Sequence, residues 1–467
     1  MDAKVVSRLI PYLKDWLSFR YEQSDLPGFS VAIAWRGEVI FHAAYGFADL
    51  EKEEKLTTDH LFRVASHSKT FAGTALMQLY EQGKFNIDEP VVKHLPWLAA
   101  HKDKRMAKIT TRQLLSHSAG MIRDGLDADC WQFEKPFPDE EELKRELLKA
   151  DLIFDCNTTM KYSNYGYGLL GLVVEAVSGQ SFRQYAQEHI IAKLNLQNTG
   201  PEYVDSIASR LVTGYTRVEG KLGRLPLTGK IDTAALSAAT GFYSTAADLA
   251  TYFSAHFVGS GKLLSDESKK EMQRTQWPVT LSAFNQEYGL GLQIDYVGKR
   301  RVIGHAGGFP GMATRSLAHA QAGLAVSVLT NCIDADPTAI ARAIYDYIDF
   351  FEGACAKDPD KYDALAKFEG RFISLFRTMD VLCDGDKLIG ISPSSWQPFA
   401  DVEELIAEDG ETLRMNRANG FSFAGEILRY KFDGKGKVEM VNLGGFSLYP
   451  PAEHVKRLSR FESHCLT

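Results

Sequence analysis

Residues 61–79 read Leu-Phe-Arg-Val-Ala-Ser-His-Ser-Lys-Thr-Phe-Ala-Gly-Thr-Ala-Leu-Met-Gln-Leu, and the rest of the chain is best read outward from them. Phe71, Leu76, Leu79 and Tyr80 fall on one face of a helix predicted over 66–82, with Gly83 as its stop. At its start Ser66 and Lys69 stand at i and i+3, so their side chains share a face. A serine hydroxyl is a poor nucleophile until a neighbouring base takes its proton. A desolvated lysine can be that base, because burial disfavours its charged form. The helix N-terminus adds unpaired N–H groups and a positive field suited to a developing oxyanion. Ser-x-x-Lys alone arises by chance about once in a chain of this size, given average residue usage. Helix capping by Ser66 is the competing reading. The chain nevertheless contains this pattern once only, at a helix start.

On either side lie strand-like runs. Pro27 to Tyr45 reads as two strands joined at Arg36-Gly37, and residues 287–332 return to sheet before a closing helix over 337–352. Asn164 to Ser178 is a second apolar helix, ended by Gly179. Strands at both ends of a helical middle imply an α/β sandwich. Its sheet is mainly antiparallel, made from distant segments and flanked by helices, with an all-helical subdomain. After about Ala354 the texture changes to short β-like runs broken at Asp384-Gly385, Asp409-Gly410 and Asp433-Gly434-Lys435-Gly436. We therefore divide the chain into a catalytic domain, 1–353, and a small all-β barrel, 354–467.

At 467 residues the chain exceeds what one core usually supports, and 45% hydrophobic with 24% charged residues is ordinary for a globular protein. A net charge of −7 provides neither a basic stripe for nucleic acid nor a polybasic patch for a membrane, so neither is expected as a partner. Six cysteines without Cys-x-x-Cys spacing read as reduced thiols rather than a disulfide framework or zinc site. The opening residues interleave charges with apolar positions, unlike a signal peptide, and no run of 18 apolar residues follows. The expectation is a cytoplasmic protein needing no metal and no cofactor.

Two further motifs carry chemistry. Tyr162-Ser163-Asn164 precedes the second helix. A tyrosine beside a cationic lysine loses its proton more easily and can relay it to a leaving group, while asparagine offers donor and acceptor to an amide. The competing reading is an N-cap at Asn164 with Tyr162 half buried. Gly304-His305-Ala306-Gly307-Gly308 follows the strand-like Arg-Arg-Val-Ile, where small residues let a substrate lie close and a backbone N–H face an oxyanion. A glycine-rich turn with a surface histidine is the alternative. Lys221-Leu222-Gly223 fits the same short pattern but sits in a polar turn and is discounted.

Taken in order, Ser-x-x-Lys, Tyr-x-Asn and His-x-Gly resemble the serine β-lactamase and penicillin-binding-protein superfamily, in its class C β-lactamase-like branch of esterases and D-amino-acid peptidases. The phrases around them, ITTRQLLSHSAGM, MKYSNYGYGLLGLVVEAVSG, GFYSTAADLATYF and GHAGGFPGM, carry the same likeness, over roughly residues 25–350. The resemblance implies a β-lactamase/transpeptidase-like fold in which Ser66 forms an acyl-enzyme, Lys69 helps deprotonate it and Tyr162 is general acid and base. It further implies that Asn164 and the strand His305, Gly307 and Gly308 bind substrate, with the N–H groups of Ser66 and Gly308 forming an oxyanion hole. His305 stands where lactamases usually carry lysine, and a mostly neutral imidazole anchors a carboxylate less well. The expected activity is therefore a serine hydrolase for peptide-like amides or small esters, with true β-lactamase activity or a silent peptide- or wall-fragment-binding protein as alternatives.

His117 is expected to be a structural hydrogen-bonding residue, Arg315 a solvated surface charge or else a carboxylate ligand, and Asp248 a helix N-terminal acid. The C-terminal region resembles lipocalin-like extensions of some peptidase relatives, which implies covering the cleft, narrowing access or mediating assembly into a homo-oligomer. No Gly-x-Ser-x-Gly, His-Glu-x-x-His or Walker motif points to another hydrolase or nucleotide enzyme.

Overall fold

The computed structural model describes residues 1–467 apart from 228, 283–284, 358–361, 363 and 462–467. It comprises two compact units, Asp25–Ala341 and a discontinuous one formed by Met1–Ser24 with Arg342–Thr467.

In Asp25–Ala341 the two strands expected near the start are Gly28–Trp35 and Glu38–Asp49. Arg36 and Gly37 join them at φ +53° and +84°, the left-handed pair a two-residue hairpin requires. Their sheet has nine strands, and its centre is completed from the far end of the chain. Gly28–Trp35 pairs antiparallel with Leu324–Thr330, which pairs with Met312–His319, which pairs with Arg300–Phe309. Seven of the eight residues of Gly28–Trp35 are buried, so alternation gives way to a continuous apolar run, as in a strand covered on both faces. The helices Ser68–Glu81 and Asn164–Ser178 are the buried core of the helical part, with Phe71, Leu76, Leu169, Leu170 and Val173 fully enclosed.

The other unit contains an eight-stranded meander in which each strand pairs with the next in sequence, from Gly370–Ile373 to Phe446–Leu448. Reciprocal backbone bonds between Ile373 and Tyr449, 2.8 and 2.9 Å, bring its ends together and leave a nearly closed barrel. The turns expected at 384–385, 409–410 and 433–436 all fall between paired strands. Met379, Val381, Leu405, Leu413, Met415, Leu428 and Val441 fill the interior. Helix also belongs to this unit. The barrel is followed by Pro451–Phe461 and is packed against the first helix, Ala3–Glu22. Trp16 donates to the Pro393 carbonyl at 3.0 Å and Tyr12 to Asp380 at 2.7 Å. The compact units part at 341/342, inside the helix Pro337–Cys355, and the first helix belongs to the unit of the barrel. Among the described residues no helix is long and apolar enough to cross a membrane. Five of the six cysteines are free thiols, and Cys465 lies outside the described residues.

Candidate active site

The helical segment opens with a single tight turn, Ala65–His67, before regular α-helix begins at Ser68. Ala65 sits at φ +46°, a left-handed conformation that costs a non-glycine residue free energy and that recurs at functional sites. Two tethers hold this turn: the Val64 N–H donates to the Phe242 carbonyl at 2.9 Å, and the Phe242 N–H to Ser68 Oγ at 3.0 Å. Of residues 61–70, Ser66 alone is not buried.

Around Ser66 Oγ the expected groups meet. Tyr162 donates its O–H to Ser66 Oγ at 2.8 Å, and Lys69 Nζ lies 3.1 Å from the same oxygen. Lys69 is fully buried and also donates to Asn164 Oδ1 at 2.7 Å and to the Ala239 carbonyl at 2.8 Å. Burial pushes its pKa well below that of an ordinary lysine; the Asp124 charge opposes this and the Arg123 charge assists it. Nζ faces three oxygens, Ser66 Oγ, Asn164 Oδ1 and the Ala239 carbonyl. Tyr162 differs from expectation: burial raises its pKa, and the Ser66 hydrogen bond and Arg123 only partly reverse this, so it stays a protonated donor.

Ser163, not Asn164, caps the second helix, accepting the Gly166 N–H at 2.8 Å. Asn164 is thereby free to turn inward, where its amide bridges Lys69 and the Asp124 carboxylate. Each end of that amide makes one hydrogen bond within the protein, which leaves its second N–H uncommitted. Asp124 was missed in the sequence reading; it also accepts from Trp131 Nε1 at 3.1 Å and pairs with Arg123 Nε at 2.9 Å. The Ala239 carbonyl was missed as well. It lies in the wide turn Ser237–Gly241, where the irregular backbone leaves a carbonyl available to a side chain.

His117 grips both neighbours of Tyr162. Its carbonyl accepts the Lys161 N–H at 2.7 Å, its Nδ1 accepts the Ser163 N–H at 3.2 Å, and its ring lies 4.2 Å from the phenol ring. The strand Arg300–Phe309 runs beside the Ser66 turn. A Cβ on Gly307 would lie 2.2 Å from the Val64 carbonyl, so a glycine is needed for that approach, and Gly308 is exposed. His305 is buried and engaged within the protein: Nδ1–H donates to the Ala306 carbonyl at 2.6 Å, and Nε2 accepts from Tyr288 at 3.0 Å. Arg315 is neither a solvated charge nor open to solvent for a carboxylate. It is buried against Asp295 and Gln293, which reach it from Gln293–Val297, the strand on the far side of Arg300–Phe309, and an ion pair is what tolerates such burial. Asp248 lies in the first turn of its helix, as expected, and accepts from the Asn198 N–H at 2.8 Å and from Thr199 at 3.0 Å.

Burial pushes His67 and His256 down to about 3. Above pH 6.5 both are neutral folded or unfolded and cost nothing. Between 6.5 and 3 the unfolded chain takes up protons that the folded one refuses, so stability falls with pH, by on the order of a few kcal/mol per histidine. Thermal melts from pH 7 to 4 are expected to fall steeply, and His256→Asn to show a shallower slope from a lower starting point.

The Beta-lactamase family profile matches residues 13–347, and the chain belongs to that family. It is 28% identical to Protein flp of Staphylococcus aureus strain MW2 over 178 residues, 38% of this chain and 35% of that protein. It is 29% identical to the Staphylococcus aureus teichoic acid D-alanine hydrolase over 196 residues, 42% of this chain and 46% of that one. The chain thus spans less than half the length of these curated relatives. Its fold is similar to that of the octameric penicillin-binding protein homologue from Pyrococcus abyssi, with TM-score 0.64, 21% identity and coverage of 94% of this chain and 99% of that one. It is also similar to the D-amino acid amidase from Ochrobactrum anthropi SV3, with TM-score 0.61, 22% identity and coverage of 72% and 99%.

Proposed function

We propose that this chain is a serine hydrolase that forms an acyl-enzyme on Ser66 and cleaves peptide-like amides or small esters. One observation carries the reading: Ser66 Oγ is within hydrogen-bonding reach of a desolvated amine at 3.1 Å and a protonated phenol at 2.8 Å. Ser66 Oγ attacks the carbonyl carbon as its proton passes to Lys69 Nζ. The oxygen that becomes negative lies between the N–H groups of Ser66 and Gly308. Tyr162 gives its proton to the departing nitrogen or oxygen as the C–N or C–O bond breaks, then recovers one from the Lys69 ammonium. Water enters the vacated position, loses a proton to the same pair and releases the acid from a reprotonated Ser66. Asn164 aims Lys69 and has a second N–H for the substrate amide, while His305, engaged on both ring nitrogens, braces its strand.

Family membership and the activities for which two similar proteins are named, a D-alanine hydrolase and a D-amino acid amidase, support an amide or ester of a D-amino acid as the acyl donor. A fluorophosphonate probe is expected to label Ser66 covalently, as read by peptide mass spectrometry. Labelling that survives Ser66→Ala, or no label on the wild type, overturns the assignment. A panel of D-amino-acid amides, p-nitrophenyl esters and nitrocefin separates the substrate classes; dominant nitrocefin turnover would make this a β-lactamase instead.

A further inference from the structure

We propose that Asp124 is a positioning residue for the Ser66 reaction: it holds the Asn164 amide with its oxygen toward Lys69 and so keeps the amine on Ser66. The inference rests on the acyl-transfer reading above and adds a residue on which that reaction depends. An asparagine amide offers an acceptor at one end and donors at the other, and its shape does not decide which end faces which neighbour. Asp124 decides it. A carboxylate only accepts, so it draws the Nδ2–H end, and Oδ1 is left facing Lys69 Nζ at 2.7 Å. Turned round, the amide would offer Lys69 an N–H that competes with the Ser66 proton for the amine.

The fold builds the carboxylate into that place. Residues 122–126 run along the start of the helix Asn164–Ser178 and are bonded to it or its surroundings on both sides of Asp124. The Ile122 carbonyl accepts from Ser163 Oγ at 2.6 Å, and the Arg123 carbonyl accepts the N–H groups of Asn164 and Tyr165 at 2.8 and 3.2 Å. Beyond Asp124, Glu146 Oε2 accepts the Leu126 N–H at 3.1 Å and the Tyr165 hydroxyl at 2.6 Å. Gly125, at φ +90°, passes so close that a Cβ would lie 2.3 Å from that hydroxyl oxygen. Trp131 Nε1 donates to Asp124 Oδ1, the oxygen that Asn164 also uses, while Arg123 Nε takes Oδ2. Three donors thus clamp a side chain that is 17% exposed. Lys69 Nζ is faced by Tyr162 and Tyr167, with ring centroids at 4.7 and 5.4 Å, and by the charges of Arg123 and Asp124; its own charge reaches His117 and His305. Asp124 in turn reaches Tyr162 and Cys130. Burial lowers the Lys69 pKa, and the Asp124 charge pulls it part of the way back.

The test follows the rate of fluorophosphonate labelling and the kcat on a p-nitrophenyl ester. Asp124→Ala frees the amide to turn and is expected to lower both by about 100-fold, the cost of a misplaced reacting group. On an Asn164→Ala background the same change is expected to cost less than about twofold, because Asp124 acts through that amide. A role in packing alone would cost the same on both backgrounds. Asp124→Asn keeps Oδ1 for Asn164 and Trp131 and removes only the charge, so kcat is expected to stay within about tenfold of wild type. Without that charge Lys69 holds its proton less firmly, and the acid limb of the pH profile is expected to move to lower pH. Equal losses on the two backgrounds, an Asp124→Ala rate within about twofold of wild type, or an acid limb unmoved in Asp124→Asn overturns the inference. The Asp124→Asn limb decides the matter if the alanine variant does not fold. A wild type that takes no label on Ser66 sinks the acyl-transfer reading itself; a labelled wild type with indifferent variants sinks this inference alone.

Discussion

Lys69→Met is expected to lower kcat/KM by about 10⁴-fold, the upper range for loss of a positioned base. Methionine keeps an unbranched apolar stem of similar length in a site that is fully buried, so the helix Ser68–Glu81 keeps its packing. What disappears is the amine 3.1 Å from Ser66 Oγ, the base of the proposed mechanism. Two acceptors, Asn164 Oδ1 and the Ala239 carbonyl, also lose their donor, and each unsatisfied group costs about 1–3 kcal/mol. The variant should therefore melt earlier yet remain folded, as circular dichroism will show. The wild-type pH profile should lose activity on the acid side as Lys69 takes up a proton, since only the neutral amine can act, and that limb should vanish in the variant. A variant with near-normal acylation would mean that another group takes the proton.

Tyr162→Phe should separate substrates by leaving group. Burial favours the protonated phenol, and in the proposed mechanism it gives that proton to a poor leaving group. An amide nitrogen cannot depart without one, whereas p-nitrophenolate departs unaided. Amide hydrolysis is thus expected to fall by about 10³-fold, and p-nitrophenyl ester acylation by about tenfold or less. Equal losses would point to Tyr162 as a base for Ser66 rather than an acid for the leaving group. His117→Asn removes the ring packed 4.2 Å from Tyr162 and should reproduce part of the same amide-selective loss.

How far the site could be read from sequence follows from the range of its contacts. Ser66 and Lys69 are neighbours on one helix, and Tyr162 opens another, so local spacing exposes them. Asp124 lies in a loop and acts through Asn164, 40 residues away, and the Ala239 carbonyl has no side-chain signature at all. His305 and Arg315 were legible as residue types, but whether a strand position faces cleft or core depends on which strand lies beside it. The pairing of Arg300–Phe309 with Met312–His319, and burial on both faces, settles that only in three dimensions. In the barrel, glycine-bearing turns mark hairpins because a left-handed backbone is a local demand, met at Gly385 of Asp384-Gly385 and at Gly436, two residues after Asp433-Gly434. Amphipathic periodicity marks the first helix equally well, yet it says only that one face must be covered, not by what.

That last point bears on biosynthesis. Arg20 bonds to the Ser394 carbonyl, 374 positions further on, and stacks on Trp396. At typical translation speeds of about 5–20 residues per second, that interval lasts roughly twenty seconds to over a minute. For most of that time Leu9, Leu13, Trp16 and Leu17, all fully enclosed in the finished protein, lack their native partners, the first of which, Tyr347 against Trp16, comes with the helix Pro337–Cys355. A nascent chain of this protein therefore carries an uncovered apolar helix face until the far end of the chain emerges.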